Sequence, residues 1–513
     1  MSLFPLNLRG TRVLLVQIAA AIVLAVVISG CGSVYRPVVL PISPTGPAAQ
    51  PSSLAIVVSS PSPTSPGVAT IIDYSGDTIM ALSPIGPAPV AFSVDQTGST
   101  GYTVNSDGTL TNFPVSTQLQ EKNITYSTLP AAAQSVGLFS PSAGLWVADL
   151  DNNVVDVLTS SPETFKLSIP VAPTPTAIVG PPVLGQRNYA ISMNNSASNT
   201  LAYTDMTCNT APASVTQTGE ADALEVTTYT VSARIPLGAC PVYGVESVDS
   251  RRVFVLNRGS DTVSVINSQL NTLDNQCPPP TGCVNQNGQT YFTHPVLPLS
   301  TTAVAATGVT PPNGTAGMGT TAGPVYAEYN AATQQLIVAD YDGGTISVID
   351  VSLDEYGNDS QTFGTTYTIP VGNNPASVTA LFDGSRAYTA NQTDGTVTVV
   401  NLSSHTVEKT LAVVGHPRTV VSTSNSLYGK VYVASPDSPY LTILRTDQDV
   451  IDTTVLVQGN IVDVRVSTQN GTTGNTNVLS RRPGAGQPCY LPPALETSTY
   501  GTGYTLADCQ TLP

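Results

Sequence analysis

Three stretches of the chain read almost alike: VFVLNRGSDTVSVIN at 253–267, LIVADYDGGTISVID at 336–350 and AYTANQTDGTVTVVN at 387–401. Each is an apolar run, a polar residue, a turn rich in Gly, Asp and Thr, and a second apolar run. That is a hairpin pattern. A hairpin repeated along a chain constrains the fold strongly, because one hairpin cannot bury its own apolar faces and must stack on its copies. Aligned on the polar residue that closes the first run, the copies end at Ser59, Asn105, Asp149, Asn194, Asn257, Asp340, Asn391, Ser435 and, weakly, Ser480. The intervals are 46, 44, 45, 63, 83, 51, 44 and 45 residues, a period near 45 with insertions.

Each unit also carries a connector followed by an apolar run. IPLGACPVYGV at 235–245, IPVGNNPASV at 369–378 and VVGHPRTVV at 413–421 are the clearest. SPIGPAPVAF at 83–92, IPVAPTPTAIV at 169–179 and LVQGNIVDVRV at 456–466 are relatives. Every unit therefore predicts four strands, a to d from a common axis outwards, in the order connector, a, b, turn, c, loop, d. Tyr102-Thr103-Val104-Asn105 resembles the signature of the YVTN-type β-propeller repeat, and the resemblance covers about residues 53–482. It implies an all-β ring of four-stranded antiparallel blades, packed radially so that both faces of each sheet are covered. Eight a strands and eight c strands predict eight blades, with seven as the alternative if one unit is degenerate. The chain opens with b, c and d (LAIVVS, GVATIID, TIMALSPIG) and ends with an a strand, DVRVST, so both ends are expected in one closing blade.

The N-terminus points to a compartment. Arg9 and Arg12 precede an apolar run from Val13 to Ile28, shorter than the roughly 20 residues a spanning helix needs. Ile28-Ser29-Gly30-Cys31 follows and resembles the bacterial lipobox, which implies cleavage before Cys31 and acylation of its thiol. Residues 1–30 are then a lipoprotein signal peptide, 31–52 a Pro/Ser/Gly-rich tether, 53–482 the propeller and 483–513 a C-terminal tail. Gly32 after the Cys implies an outer-membrane destination in the cell envelope. Six other cysteines, an even number in an exported chain, predict disulfides. Cys277 and Cys283 are close in sequence, and Cys489 and Cys509 bracket the tail. Cys208 with Cys240 remains, but strand order puts Cys208 in a c–d loop and Cys240 in a connector, on opposite faces. Cys208 with Cys277 or Cys283 is the rival pairing.

Chemistry is harder to find. The chain has 34 acidic and 18 basic residues, a net charge of −16 that excludes nucleic acid as a partner. The b–c turns and d–a connectors emerge on one face, the mouth of the ring. Insertions at 205–228, 267–289 and 350–365 are expected in c–d loops on the opposite face, and 301–322 in a connector. The three histidines are His294, His405 and His416, and only His416 lies in a connector, so no three-His metal site is expected. The Asp-rich turns 149–153 and 340–342 lack a calcium loop's length and terminal Glu, and read as turn chemistry. His416 and Arg418 are the candidate ligand-binding pair. No catalytic residue, metal or cofactor is predicted. The expected function is a lipid-anchored, non-catalytic scaffold for a protein or glycan partner. The alternative is a propeller enzyme of lactonase or quinoprotein dehydrogenase type, the activities the resemblance implies.

Overall fold

The computed structural model describes residues 54–472, less several segments of which 194–217 and 303–318 are the longest. Residues 1–53, with Cys31, and residues 473–513, with Ser480, Cys489 and Cys509, lie outside that description. The described residues contain strands and no helix.

The strands pair into eight antiparallel blades. Blade 1 takes strand a, Asn460–Thr468, from the C-terminal side and b, c and d, Leu54–Ser60, Pro66–Asp73 and Ile79–Pro87, from the N-terminal side. Strand a runs antiparallel to b from Ser467 opposite Leu54 to Asn460 opposite Ser60. The expected closure is therefore present. Blade 2 is Pro89–Val94, Thr100–Asn105, Thr109–Pro114 and Thr125–Thr128. Blade 3 is Ser135–Phe139, Leu145–Asp149, Val154–Leu158 and Phe165–Pro170. Blade 4 is Pro175–Val179, Arg187–Ser192, Thr218–Glu225 and Val231–Ala239. In blade 5, Pro241–Glu246, Arg252–Asn257 and Thr262–Asn267 are followed by Thr272–Leu273 and Val296–Pro298, which share the outer edge of strand c. Blade 6 is Pro324–Asn330, Gln335–Asp340, Thr345–Asp350 and Thr366–Pro370. Blade 7 is Pro375–Ala380, Arg386–Asn391, Thr396–Asn401 and Thr406–Ala412. Blade 8 is Thr419–Ser422, Lys430–Ala434, Tyr440–Arg445 and Val450–Leu456. The a strands neighbour one another in blade order, and that of blade 1 meets that of blade 2, so the ring is complete.

Period-two alternation explains why the blades stack. In strand b of blade 8, Val431 and Val433 pack with Tyr388, Val397 and Val399 of blade 7. Tyr432, between them, faces the other way and packs with Ala55, Val57 and Val464 of blade 1. Successive side chains of a strand point to opposite faces, so one apolar run serves two seams. Each fully buried Val or Leu contributes roughly 1.5–3 kcal/mol.

One insertion differs from expectation. Strand c of blade 4 is Thr218–Glu225, so 205–228 is not a c–d loop. The inserted segment joins b to c at the mouth, and the strand-closing residue of that unit is Ser192, which pairs with Pro175, rather than Asn194. The error arose because an insertion inside the hairpin removes the short turn that marks one. Cys208 lies outside the described residues. Cys240 is disulfide-bonded. Cys277 and Cys283 are bonded to each other, with Cα atoms 5.2 Å apart, which rules out either as partner of Cys208. The insertions after Asn267 and Asp350 do lie between c and d, on the base.

Candidate binding site at the mouth of the ring

Register sets one polar pair at the mouth end of every blade. The first member closes strand b, and the second stands on strand c opposite the residue two before it. The pairs are Ser59/Thr70, Asn105/Thr111, Asp149/Asp156 and Ser192/Asp222 in blades 1 to 4. In blades 5 to 8 they are Asn257/Ser264, Asp340/Ser347, Asn391/Thr398 and Ser435/Thr442. Each of these residues is at most 1% exposed. Buried polar groups need partners, and in blades 2, 5, 6 and 7 the two members of the pair find them in each other. The Nδ2 of Asn391 donates to Thr396 and Thr398 at 3.0 and 2.8 Å, and that of Asn257 to Thr262 and Ser264 at 3.1 and 2.9 Å. Asp340 instead accepts from Thr345 and Ser347 at 3.2 and 2.6 Å, and burial pushes its carboxyl up to about 8 against those bonds.

This belt also holds the connectors. Thr111 accepts from the Gly86 amide at 3.1 Å, Asp222 from the Ala172 amide at 2.6 Å, and Thr398 donates to the Val371 carbonyl at 3.0 Å. The connectors are thereby fixed as a rim around the channel.

His416 sits on that rim. Gly415, at φ +74°, turns the backbone so that both the amide and Nδ1 of His416 face Asp437, at 2.8 and 2.6 Å. Both side chains are about half exposed or more, at 62% and 48%. Burial pushes the Asp437 carboxyl up, but the hydrogen bonds from His416 outweigh it and hold the group below its ordinary range. The preceding connector repeats the arrangement: the amide and Nδ2 of Asn373 donate to Asp394 at 2.7 and 2.8 Å. Arg418 stands half-buried just before strand a of blade 8, its amide donating to the Ala434 carbonyl at 2.9 Å. Between blades 5 and 6, Arg258 makes a two-pronged pair with Asp342, at 2.9 and 2.7 Å, beside the Tyr341 ring.

Inside the channel the structure gathers residues that sequence reasoning missed. The amides of strand a that strand b does not take are capped by side chains: Val420 by Ser377, Ser422 by Thr379, Ala380 by Glu328 and Val464 by Asp463. Asp463 also accepts from Arg465 at 2.8 Å. Across the ring Tyr243 of blade 5 and Tyr326 of blade 6 lie with ring centroids 4.8 Å apart. Burial raises the Tyr243 phenol well above its ordinary range; Tyr326 adds to the shift and Arg465 opposes it. Blade 1 is thus felt across the channel. A signal existed, since both tyrosines close a Pro-Val-Tyr triplet at a connector's end, where the pairing with strand b slips by one residue.

The histidines do not converge. His294 lies in the base insertion of blade 5, its Nδ1 2.9 Å from Asp359, which also pairs with the buried Arg252 at 3.2 Å. His405 lies in the base turn after Asn401 and stacks on Tyr367. Among the described residues no three His, Cys, Asp or Glu side chains are grouped to hold a metal ion. Asp149 takes its bonds from the Asn152 amide and Nδ2, at 3.1 and 2.7 Å, within its own turn.

No protein-family model and no curated protein matches this sequence. Similar solved structures include AztD from Citrobacter koseri, with 11% identity and a TM-score of 0.51 over 81% of this chain and 97% of that one. They also include the dihydro-heme d1 dehydrogenase NirN in complex with DHE, with 14% identity and a TM-score of 0.53 over 86% of this chain and 79% of that one. A 6-phosphogluconolactonase-like protein from Bacteroides fragilis NCTC 9343 aligns with a TM-score of 0.46 and 14% identity, over 82% and 99%. At these identities the likeness to the first two shows the propeller fold alone.

Proposed function

We propose that this protein is a lipid-anchored propeller of the bacterial cell envelope that acts as a non-catalytic scaffold, holding a protein or glycan partner against the mouth of its ring. The observation that supports it is the use made of the mouth's polar side chains. His416 meets Asp437 as Asn373 meets Asp394 one connector earlier. An imidazole doing the work of an amide is a strut of the rim, and Arg258 is likewise tied to Asp342. General acid–base work needs side chains aimed at a reacting centre; these are aimed at each other. Cys31 in its lipobox-like setting supports the anchor, and the YVTN resemblance supports the family of repeats. On this reading Arg418 and the exposed rim contact the partner.

The experiment uses the full-length protein purified from its membrane fraction. The expected result is an acylated N-terminal Cys31 by mass spectrometry, no turnover of lactones, and cross-linking to a partner through a photoreactive group placed at position 418. An unmodified Cys31 overturns the anchor. Lactone or alcohol turnover that disappears in the double substitution His416→Ala and Arg418→Ala overturns the scaffold in favour of an enzyme.

A further inference from the structure

Eleven large apolar side chains are exposed among the described residues, and six of them stand on two neighbouring blades. Ile79, Met80 and Leu82 are on strand d of blade 1, and Ile451 and Leu456 on strand d of blade 8. Tyr440 stands opposite Leu456 on strand c of blade 8. Single exposed apolar residues are ordinary, but a cluster on one edge marks a contact surface. The two outer strands, IMALSPIGP and VIDTTVL, hold one charged residue, Asp452. Those of blades 3, 4 and 7 carry Lys166, Arg234, and Glu408 with Lys409.

These edges are shaped against another strand. Pro84 has no amide hydrogen to offer. Met80 is an extra residue in its pairing, between Ile79 opposite Ile72 and Ala81 opposite Ile71. Asp452 is likewise extra, between Ile451 opposite Leu444 and Thr453 opposite Ile443. Proline, bulges and an edge charge all stop an edge from templating a further strand. What these edges offer is side chains, not backbone. The chain that carries Cys31 enters the described fold at Leu54, the first residue of strand b of blade 1. The segment with the lipobox-like Cys thus joins one of the two blades that expose these side chains.

We propose, on the premise of the lipid anchor at Cys31, that the outer edges of blades 8 and 1 rest on the membrane surface. Their apolar side chains settle at the boundary of headgroups and acyl chains, about 5–10 Å deep. The anchor brings the edge to the bilayer, and the edge fixes how the ring stands. It stands edge-on, with mouth and base both open to partners. With a net charge of −16 and Asp452 at the contact, the lipid it fits is zwitterionic.

The test uses the full-length protein in vesicles of phosphatidylethanolamine and phosphatidylcholine that carry a nitroxide on the acyl chain. An environment-sensitive fluorescent residue replaces Leu82, Leu456 or Phe165, the last equally exposed on the outer strand of blade 3. Quenching at 82 and 456 is expected to be about threefold that at 165, since side chains at that depth reach the nitroxide. Leu82→Glu with Ile451→Glu should abolish the excess at 456 and leave the melting temperature unchanged, because both sites are exposed. Equal quenching at all three positions, with Cys31 acylated by mass spectrometry, overturns the edge and keeps the anchor. An unmodified Cys31 with quenching confined to 82 and 456 overturns the anchor and keeps the edge. Cross-linking through a photoreactive group at 82 to a second copy or another protein overturns the edge, since that protein then covers it.

Discussion

Gly372 and Asn391 share one space: a Cβ on the glycine would lie 2.7 Å from the Asn391 amide group. Gly86 stands in the same way against Asn105, and Gly238 against Asn257. The connector glycine and the Asn that closes strand b look like two separate motifs in the repeat. In the fold they are the two halves of one contact at the mouth, and none of these three glycines has a left-handed backbone. The cost of replacing them is steric.

Gly372→Ala is accordingly expected to destabilise the protein by about 1–3 kcal/mol, the range for overpacking a filled site. Adding Asn391→Ser, the residue blades 1, 4 and 8 use at that position, makes room for the methyl group. The double variant should recover part of the loss, a non-additivity that urea unfolding midpoints measure.

Asp340 makes a prediction about pH. Its carboxyl is pushed up to about 8 by burial. The folded chain then holds a proton that the unfolded chain releases near pH 4, so stability falls as pH rises from about 4 to 8. Asp340→Asn supplies the amide donor of blades 2, 5 and 7 and cannot ionise. It should be more stable than wild type at pH 9, by about 1–3 kcal/mol, and the gap should narrow toward pH 5. Thermal melts at the two pH values check both the sign and the narrowing.

In blades 8 and 1 a base turn locks the blade to the one before it. Asp449, at φ +52° in the turn before strand d of blade 8, accepts from Tyr388 and Arg386 of blade 7. Asp77, at φ +53° in the same turn of blade 1, accepts from Lys430 of blade 8 at 2.5 Å. Removing the phenol with Tyr388→Phe leaves Arg386 in place and should cost about 1.5–3 kcal/mol, as for a bond to a charged acceptor. Guanidinium unfolding and amide exchange in Val450–Leu456 should both register it.

Closure makes the fourth prediction. Deleting residues 456–482 removes strand a of blade 1 and leaves the edge of Leu54–Ser60 unpaired. Exposed edges pair with other chains, so the truncated protein should self-associate in size-exclusion chromatography and melt earlier. A monomer with the melting point of the full chain contradicts it.

Fold class, eight blades and the closing blade were legible in the residues alone. Alternating apolar runs, turn residues and a 45-residue period are local properties, and each follows from the chemistry of a few neighbours. The disulfide Cys277–Cys283 was legible for the same reason. Blade 4 was misread because its insertion lies inside the hairpin used to count, and only the pairing of Ser192 with Pro175 placed strand c at Thr218–Glu225. The role of His416 also needed the tertiary structure: its residue type suggested a ligand site, and its bonds to Asp437 match those of Asn373. Tyr243 and Arg465 come from blades 5 and 1, and Arg465 opposes the rise of the Tyr243 phenol across the channel. Contacts between blades join residues far apart in the chain, and burial is set by the whole ring, so neither is written in any local stretch.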